Sequence, residues 1–142
     1  MLKYPNIDFQ PNIFNEDSLI LNSNFSNKIQ NDYFDLIVTN PPRWAKMSEK
    51  YQGYHIASWE SFSYFIERGL GLLKKWWALS YILPESILNV KVHSDIRKIM
   101  LNYDILSIYE LGKIFTWVFT DVIRIDIRKE NLKILINKIE QM

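Results

Sequence analysis

The sequence predicts an α/β fold. Three observations carry this: an apolar run at residues 33–39 closed by Asn40-Pro41-Pro42, apolar side chains recurring every three or four residues from Trp59 to Leu73, and a second apolar run at residues 76–83 closed by Pro84. Buried strands alternating with an amphipathic helix form a sheet with crossover helices, and ligands of such sheets sit beyond the carboxyl ends of the strands. Asn40-Pro41-Pro42 falls at such an end. With 142 residues, 48% of them hydrophobic and 15% aromatic, the chain can bury a core, and without repeats or Gly/Ser-rich linkers it reads as one unit over 1–142.

Residues 1–12 hold two prolines and no period, and read as an extended entry segment. Ile13 and Phe14 with Leu19-Ile20-Leu21 suggest a short strand ending in a polar turn. Residues 22–32, rich in Asn and Ser, read as loop with one helical turn. Residues 33–39 have the look of a buried parallel strand, which two prolines must end because neither can donate to a ladder. Residues 43–56 form a polar loop studded with Trp44, Tyr51 and Tyr54. Trp59, Phe62, Ile66, Leu70 and Leu73 then share one face of a helix ending at Lys74-Lys75, where the charges suit the negative end of its dipole. Gly69 and Gly71 weaken that helix by about 1 kcal/mol each relative to Ala. Residues 76–83 are a second strand. Ser94 is the expected cap of a short helix with Ile96, Ile99 and Met100 on one side. Residues 105–111 read as strand, and the alternation of Val122 to Arg128 marks a strand with one wet face. The tail, 131–142, fits helix and strand alike.

Composition narrows the chemistry. Absence of cysteine excludes disulfides, thiolate metal sites and cysteine nucleophiles. His55 and His93 are the only histidines and lack ligand spacing, so no metal is expected. Seventeen basic against sixteen acidic residues neither demand nor forbid nucleic acid. No apolar run approaches the roughly 20 residues of a membrane helix, and the N-terminus has no signal-peptide pattern. The expectation is a soluble, cytoplasmic protein without a membrane partner.

The run Asp35-Leu36-Ile37-Val38-Thr39-Asn40-Pro41-Pro42 resembles the signature of amino-group methyltransferases that use S-adenosylmethionine. The resemblance extends through Asn15-Glu16-Asp17-Ser18-Leu19, Glu60-Ser61-Phe62-Ser63-Tyr64-Phe65-Ile66-Glu67, Ile82-Leu83-Pro84-Glu85-Ser86, and Leu111-Gly112-Lys113-Ile114-Phe115 on to Val122-Ile123-Arg124. Taken in order, these segments are similar to adenine-N6 DNA methyltransferases of restriction-modification systems. The resemblance implies a Rossmann-like fold, S-adenosylmethionine as cofactor, DNA as partner, and Asn40, Pro41 and Pro42 as the catalytic turn. It further implies Asp17 as acceptor for the cofactor's adenine amine and Phe115 as one aromatic stacked on the target base. The family places an aromatic directly after the second proline; here Arg43 stands there, so Arg43 or the following Trp44 is the candidate for the other stacking group.

The turn has a chemical logic of its own. An exocyclic adenine amine is a poor nucleophile because its lone pair is delocalised into the ring. Two acceptors taking both N–H hydrogens draw the nitrogen toward tetrahedral geometry and release that pair. The Asn40 side-chain oxygen and the Pro41 carbonyl are such acceptors, and Pro42 restricts the residue before it. Positioning of the amine then carries most of the catalysis, on a base flipped out of its duplex. Lys46, Lys50, Arg43 and His55 are candidate phosphate contacts, while Glu60 and Glu67 read as a solvated helix face.

The family's Gly-rich turn and its ribose-binding acidic residue do not precede Asp17, and Trp76-Trp77 stand where the family has a Gly-Gly turn. Tryptophan adopts a positive φ only at a cost, so either that turn is rebuilt or the helix runs further. The expectation is an incomplete catalytic domain without the full cofactor site. Its strand at 33–39 would be left as an exposed edge that pairs with a second copy or with a separate chain carrying the Gly-rich half. Two alternatives stay open: a catalytically silent remnant or interaction module, and a methyltransferase acting on RNA adenine or protein glutamine.

Overall fold

The computed structural model describes residues 11–42, 51–114 and 120–131. Its elements run α1 (Asn24–Lys28), β1 (Phe34–Thr39), α2 (Ser61–Leu72), β2 (Leu73–Pro84), two short 3₁₀ turns, α3 (Ser94–Met100), β3 (Tyr103–Gly112) and β4 (Val122–Asn131). The four strands form one sheet in the order β1-β2-β4-β3. β1 and β2 are parallel, whereas β4 inserts antiparallel between β2 and β3.

The core lies on one face of this sheet. Leu79, Tyr81 and Leu83 of β2 pair in register with Ile127, Ile125 and Ile123 of β4, and all six are buried against Phe62, Ile66 and Leu70 of α2 and Ile96 and Met100 of α3. Alternation turns Arg124, Asp126 and Arg128 to the opposite face. The wet face read from the sequence is there a polar ladder. Asp126 accepts from Ser80 (2.6 Å) and Ser107, and Arg128 pairs with Asp104. Burial pushes the Asp126 carboxyl up, but the two serine hydroxyls and Arg124 outweigh it and leave the group below its usual range.

Several expectations change. Residues 13–21 form no strand: the Asp17 side chain takes the Leu19 N–H (3.0 Å), and the Ile20 N–H bonds back to the Asp17 carbonyl. An aspartate that satisfies the backbone locally gives the chain a turn in place of a ladder. Ser94 is the first residue of α3, not its cap; His93, at the end of a 3₁₀ turn, holds the cap position without a side-chain bond. Helix α2 starts two residues after Trp59 and stops at Leu72, so Lys74 and Lys75 lie on β2. Lys74 pairs there with Asp35 at 2.9 Å, and Lys75 lies over the Trp76 ring. The tail from residue 132 lies outside the described residues.

Neither remedy foreseen for Trp76-Trp77 is what the chain uses. Phe34 pairs with Leu73 and Leu36 with Ala78, so Asp35 alone faces Lys74, Lys75, Trp76 and Trp77. The surplus forms a bulge in which Trp76 takes φ 74°, a left-handed conformation costing a side-chain-bearing residue about 1–2 kcal/mol.

The two helical glycines differ in role. A Cβ on Gly69 would stand 2.2 Å from the Tyr81 hydroxyl, which donates to the Phe65 carbonyl at 3.1 Å. Gly69 is therefore the site where α2 approaches β2 closely enough to seat a buried tyrosine. A Cβ on Gly71 would meet only Asn31 Oδ1, at 3.6 Å. Urea titration should accordingly show opposite signs for one chemical change: Gly71→Ala gains a few tenths to about 1 kcal/mol of helix propensity, whereas Gly69→Ala loses stability despite the same gain.

Candidate active site

The crossover from β1 to β2 builds the site. Pairing of β1 ends at Thr39, opposite Tyr81, because Pro41 and Pro42 bring no N–H to the ladder. Asn40 is exposed and Pro41 buried. The Pro42 carbonyl accepts from Ser61 Oγ at 2.6 Å, and Ser61 is the first residue of α2. The catalytic-turn candidate is thus gripped from within by a buried proline ring and from outside by a helix start, with the Asn40 side chain on the surface.

Asp17, the candidate acceptor for cofactor, is exposed. Its Oδ1 accepts from the Leu19 N–H and its Oδ2 from the Tyr51 hydroxyl. That bond and burial push the Tyr51 phenol up to about 12. A carboxylate accepts about four hydrogen bonds, so this donor set fits an adenine amine. The fit extends to the adenine end of S-adenosylmethionine only. Glycines occur at 53, 69, 71 and 112, and none follows a strand in the way a turn against the methionine portion would need. Arg43, Trp44, Lys46, Lys50 and Phe115 lie outside the described residues.

The segment leading into α2 is fastened by carboxylates that sequence reading missed. Glu67, read as part of a solvated face, accepts from the His55 N–H with both oxygens at 3.0 Å and lies 2.6 Å from His55 Nδ1. His55, a candidate phosphate contact, therefore already has a carboxylate partner. Asp95 Oδ2 accepts from the Ala57 and Ser58 N–H groups at 2.6 and 3.0 Å, and its Oδ1 from the Ile96 N–H. Burial raises the Asp95 carboxyl, yet these three backbone donors prevail and hold it below the usual carboxylate range. Both residues bind backbone 12 or more positions away, a pairing with no local pattern.

The profile of the Eco57I restriction-modification methylase family matches residues 3–115. The chain belongs to this family. No curated protein sequence matches significantly. Among solved structures, a chain of a type I R-M system shares 19% identity at a TM-score of 0.67, with 85% of this chain and 26% of that one covered. The M protein of the type I restriction enzyme EcoKI shares 15% identity at TM-score 0.66, covering 83% and 24%. A class I S-adenosylmethionine-dependent methyltransferase of Listeria monocytogenes shares 16% at 0.56, covering 71% and 33%. At such identities the likeness establishes the fold: a Rossmann-like methyltransferase sheet, of which this Eco57I-family chain has four strands among its described residues. The chain spans about a quarter to a third of the length of those structures.

Asp95 also makes the Eco57I-family chain acid-sensitive. A carboxyl held low in the folded state stabilises it fully above the unfolded value near ~3.9, and that contribution is lost as pH falls through the lower folded value. Asp95→Asn should therefore cost roughly 1–2 kcal/mol at pH 7 by urea unfolding, and the gap to wild type should narrow as pH falls through the lowered folded-state value of Asp95.

Proposed function

We propose that this chain carries the amine-activating part of a site-specific adenine-N6 DNA methyltransferase of a restriction-modification system, using S-adenosylmethionine. The observation that carries the reading is the Asn40-Pro41-Pro42 turn, exposed at Asn40, anchored through Ser61, and standing at the carboxyl end of a strand in a methylase-family chain. The Asn40 Oδ1 and the Pro41 carbonyl accept the two N–H hydrogens of a flipped adenine and hold its nitrogen for in-line attack. Bound S-adenosylmethionine supplies an electrophilic methyl group. Asp17 accepts a hydrogen bond from the adenine amine of that cofactor. Arg43, Trp44 and Phe115 are the proposed stacking groups for the target base.

The reading also includes a partner at β1. Among the described residues this strand is at the sheet edge, with Leu36 and Val38 exposed at 61% and 69%. A cleft of about 310 Å³ runs along it, lined by Phe34, Leu36, Val38, Phe65 and Leu72 among others. An open apolar edge recruits another strand. The strand it fits is one followed by a Gly-rich turn on a separate polypeptide, with a second copy of this chain as substitute.

Two outcomes test the reading. Methyl transfer to mixed-sequence DNA, measured with the chain and its complementing half, should fall at least about 100-fold in Asn40→Ala, with cofactor affinity by calorimetry unchanged; transfer surviving in the variant contradicts it. By light scattering coupled to size exclusion, the chain alone should run larger than a monomer and Val38→Lys as a monomer, since edge lysines block strand addition. A monomeric wild type counts against the partner.

A further inference from the structure

We infer that Tyr51 is a positioning residue of the cofactor site: its hydroxyl sets the Asp17 carboxylate for the cofactor's adenine amine and couples that site to the segment leading from the catalytic turn into α2. The inference rests on the reading of Asp17 given above.

The corner at residues 17–19 has little regular structure of its own, and it is held from elsewhere. Leu19 N–H and Tyr51 O–H each donate to a different oxygen of Asp17. Two donors on two oxygens fix both the position of the carboxylate and the rotation of its plane. They leave each oxygen a second direction in which to accept. Tyr54 donates to the Leu19 carbonyl at 2.9 Å, and Arg68 of α2 reaches the Ser18 carbonyl at 3.3 Å. Tyr51 is in turn seated edge-on to Tyr54 and Tyr64, with ring centroids 6.3 and 5.8 Å away, and those two rings meet at 5.4 Å. Tyr64 is fully buried in α2. The phenol thus stands on a rigid aromatic base continuous with the helix whose first residue grips Pro42.

This makes the adenine end of the site depend on a residue 34 positions away in sequence, on the far side of the Asn-Pro-Pro turn. A local turn residue would have satisfied Asp17 without that dependence. With its phenol pushed up to about 12, Tyr51 remains a donor throughout the neutral range.

Tyr51→Phe removes the hydroxyl and keeps the ring contacts. Titration of wild type, Tyr51→Phe and Asp17→Ala, each with the complementing half present, with S-adenosylmethionine and with adenosine, by calorimetry and by NMR of the tyrosine rings, separates the possibilities. The inference predicts that Tyr51→Phe binds both probes about tenfold more weakly, that its thermal midpoint stays near wild type, and that Asp17→Ala binds weakest. By the NMR of the rings, Tyr51 should also titrate at lower pH in Asp17→Ala than in wild type. Unchanged or tighter binding by Tyr51→Phe, with binding lost in Asp17→Ala, overturns the positioning role and leaves Asp17 standing; tighter binding would mean that the phenol competes with the cofactor. Full binding by Asp17→Ala, or none by wild type, overturns the reading of Asp17 and this inference with it.

Discussion

Two adjacent prolines cannot donate to a β ladder, and the candidate site follows from that constraint. Pairing between β1 and β2 halts at Thr39 and Tyr81, and the chain leaves the sheet at the carboxyl end of β1. A parallel neighbour requires a crossover, so α2 must run back and its N-terminus comes to lie over the point of departure. Ser61 is there to take the Pro42 carbonyl. The same geometry that forces the turn outward supplies the group that holds it still, and it leaves Asn40 facing solvent at a strand end, where α/β sheets bind their ligands.

The stretch just before α2, residues 55–58, is fastened with charge. Asp95 and Glu67 gather backbone N–H groups of residues 55, 57 and 58, and charge-assisted bonds of this kind are stronger than neutral ones. Tyr51 and Tyr54 carry the tie onward to the corner at Asp17. Hydrogen bonds and tyrosine ring contacts thus tie the cofactor candidate to α2, whose first residue holds the catalytic-turn candidate. Among the described residues β1 meanwhile pairs on one side only, so the described sheet is open where the catalytic-turn candidate begins.

What the sequence made legible was what repeats or stops. The run ending at Asn40-Pro41-Pro42 and the alternation from Val122 to Arg128 both correspond to strands, and the recurrence of Phe62, Ile66 and Leu70 to a helix. The methylase resemblance, read from ordered motifs, agrees with the family match and with the fold of the solved relatives. What escaped depends on partners distant in sequence. Asp17 diverts residues 13–21 into a turn through one side-chain bond. Glu67 and Asp95 look like surface acids until the backbone they bind is known. Gly69 reads as a flaw in a helix because Tyr81, its reason, sits on the next strand. At Trp76 the sequence signalled a conflict, and the bulge resolves it with the positive φ that tryptophan disfavours.

The central claim is that Asn40 Oδ1 and the Pro41 carbonyl together receive an exocyclic adenine amine. The most direct measurement is a crystal structure of the chain, with its proposed partner, bound to DNA with an unpaired extrahelical adenine and a non-reactive analogue of the methyl donor. The account predicts the adenine N6 within hydrogen-bond distance of both oxygens, about 2.7–3.2 Å. An adenine bound elsewhere, or one whose N6 meets neither oxygen, would contradict it.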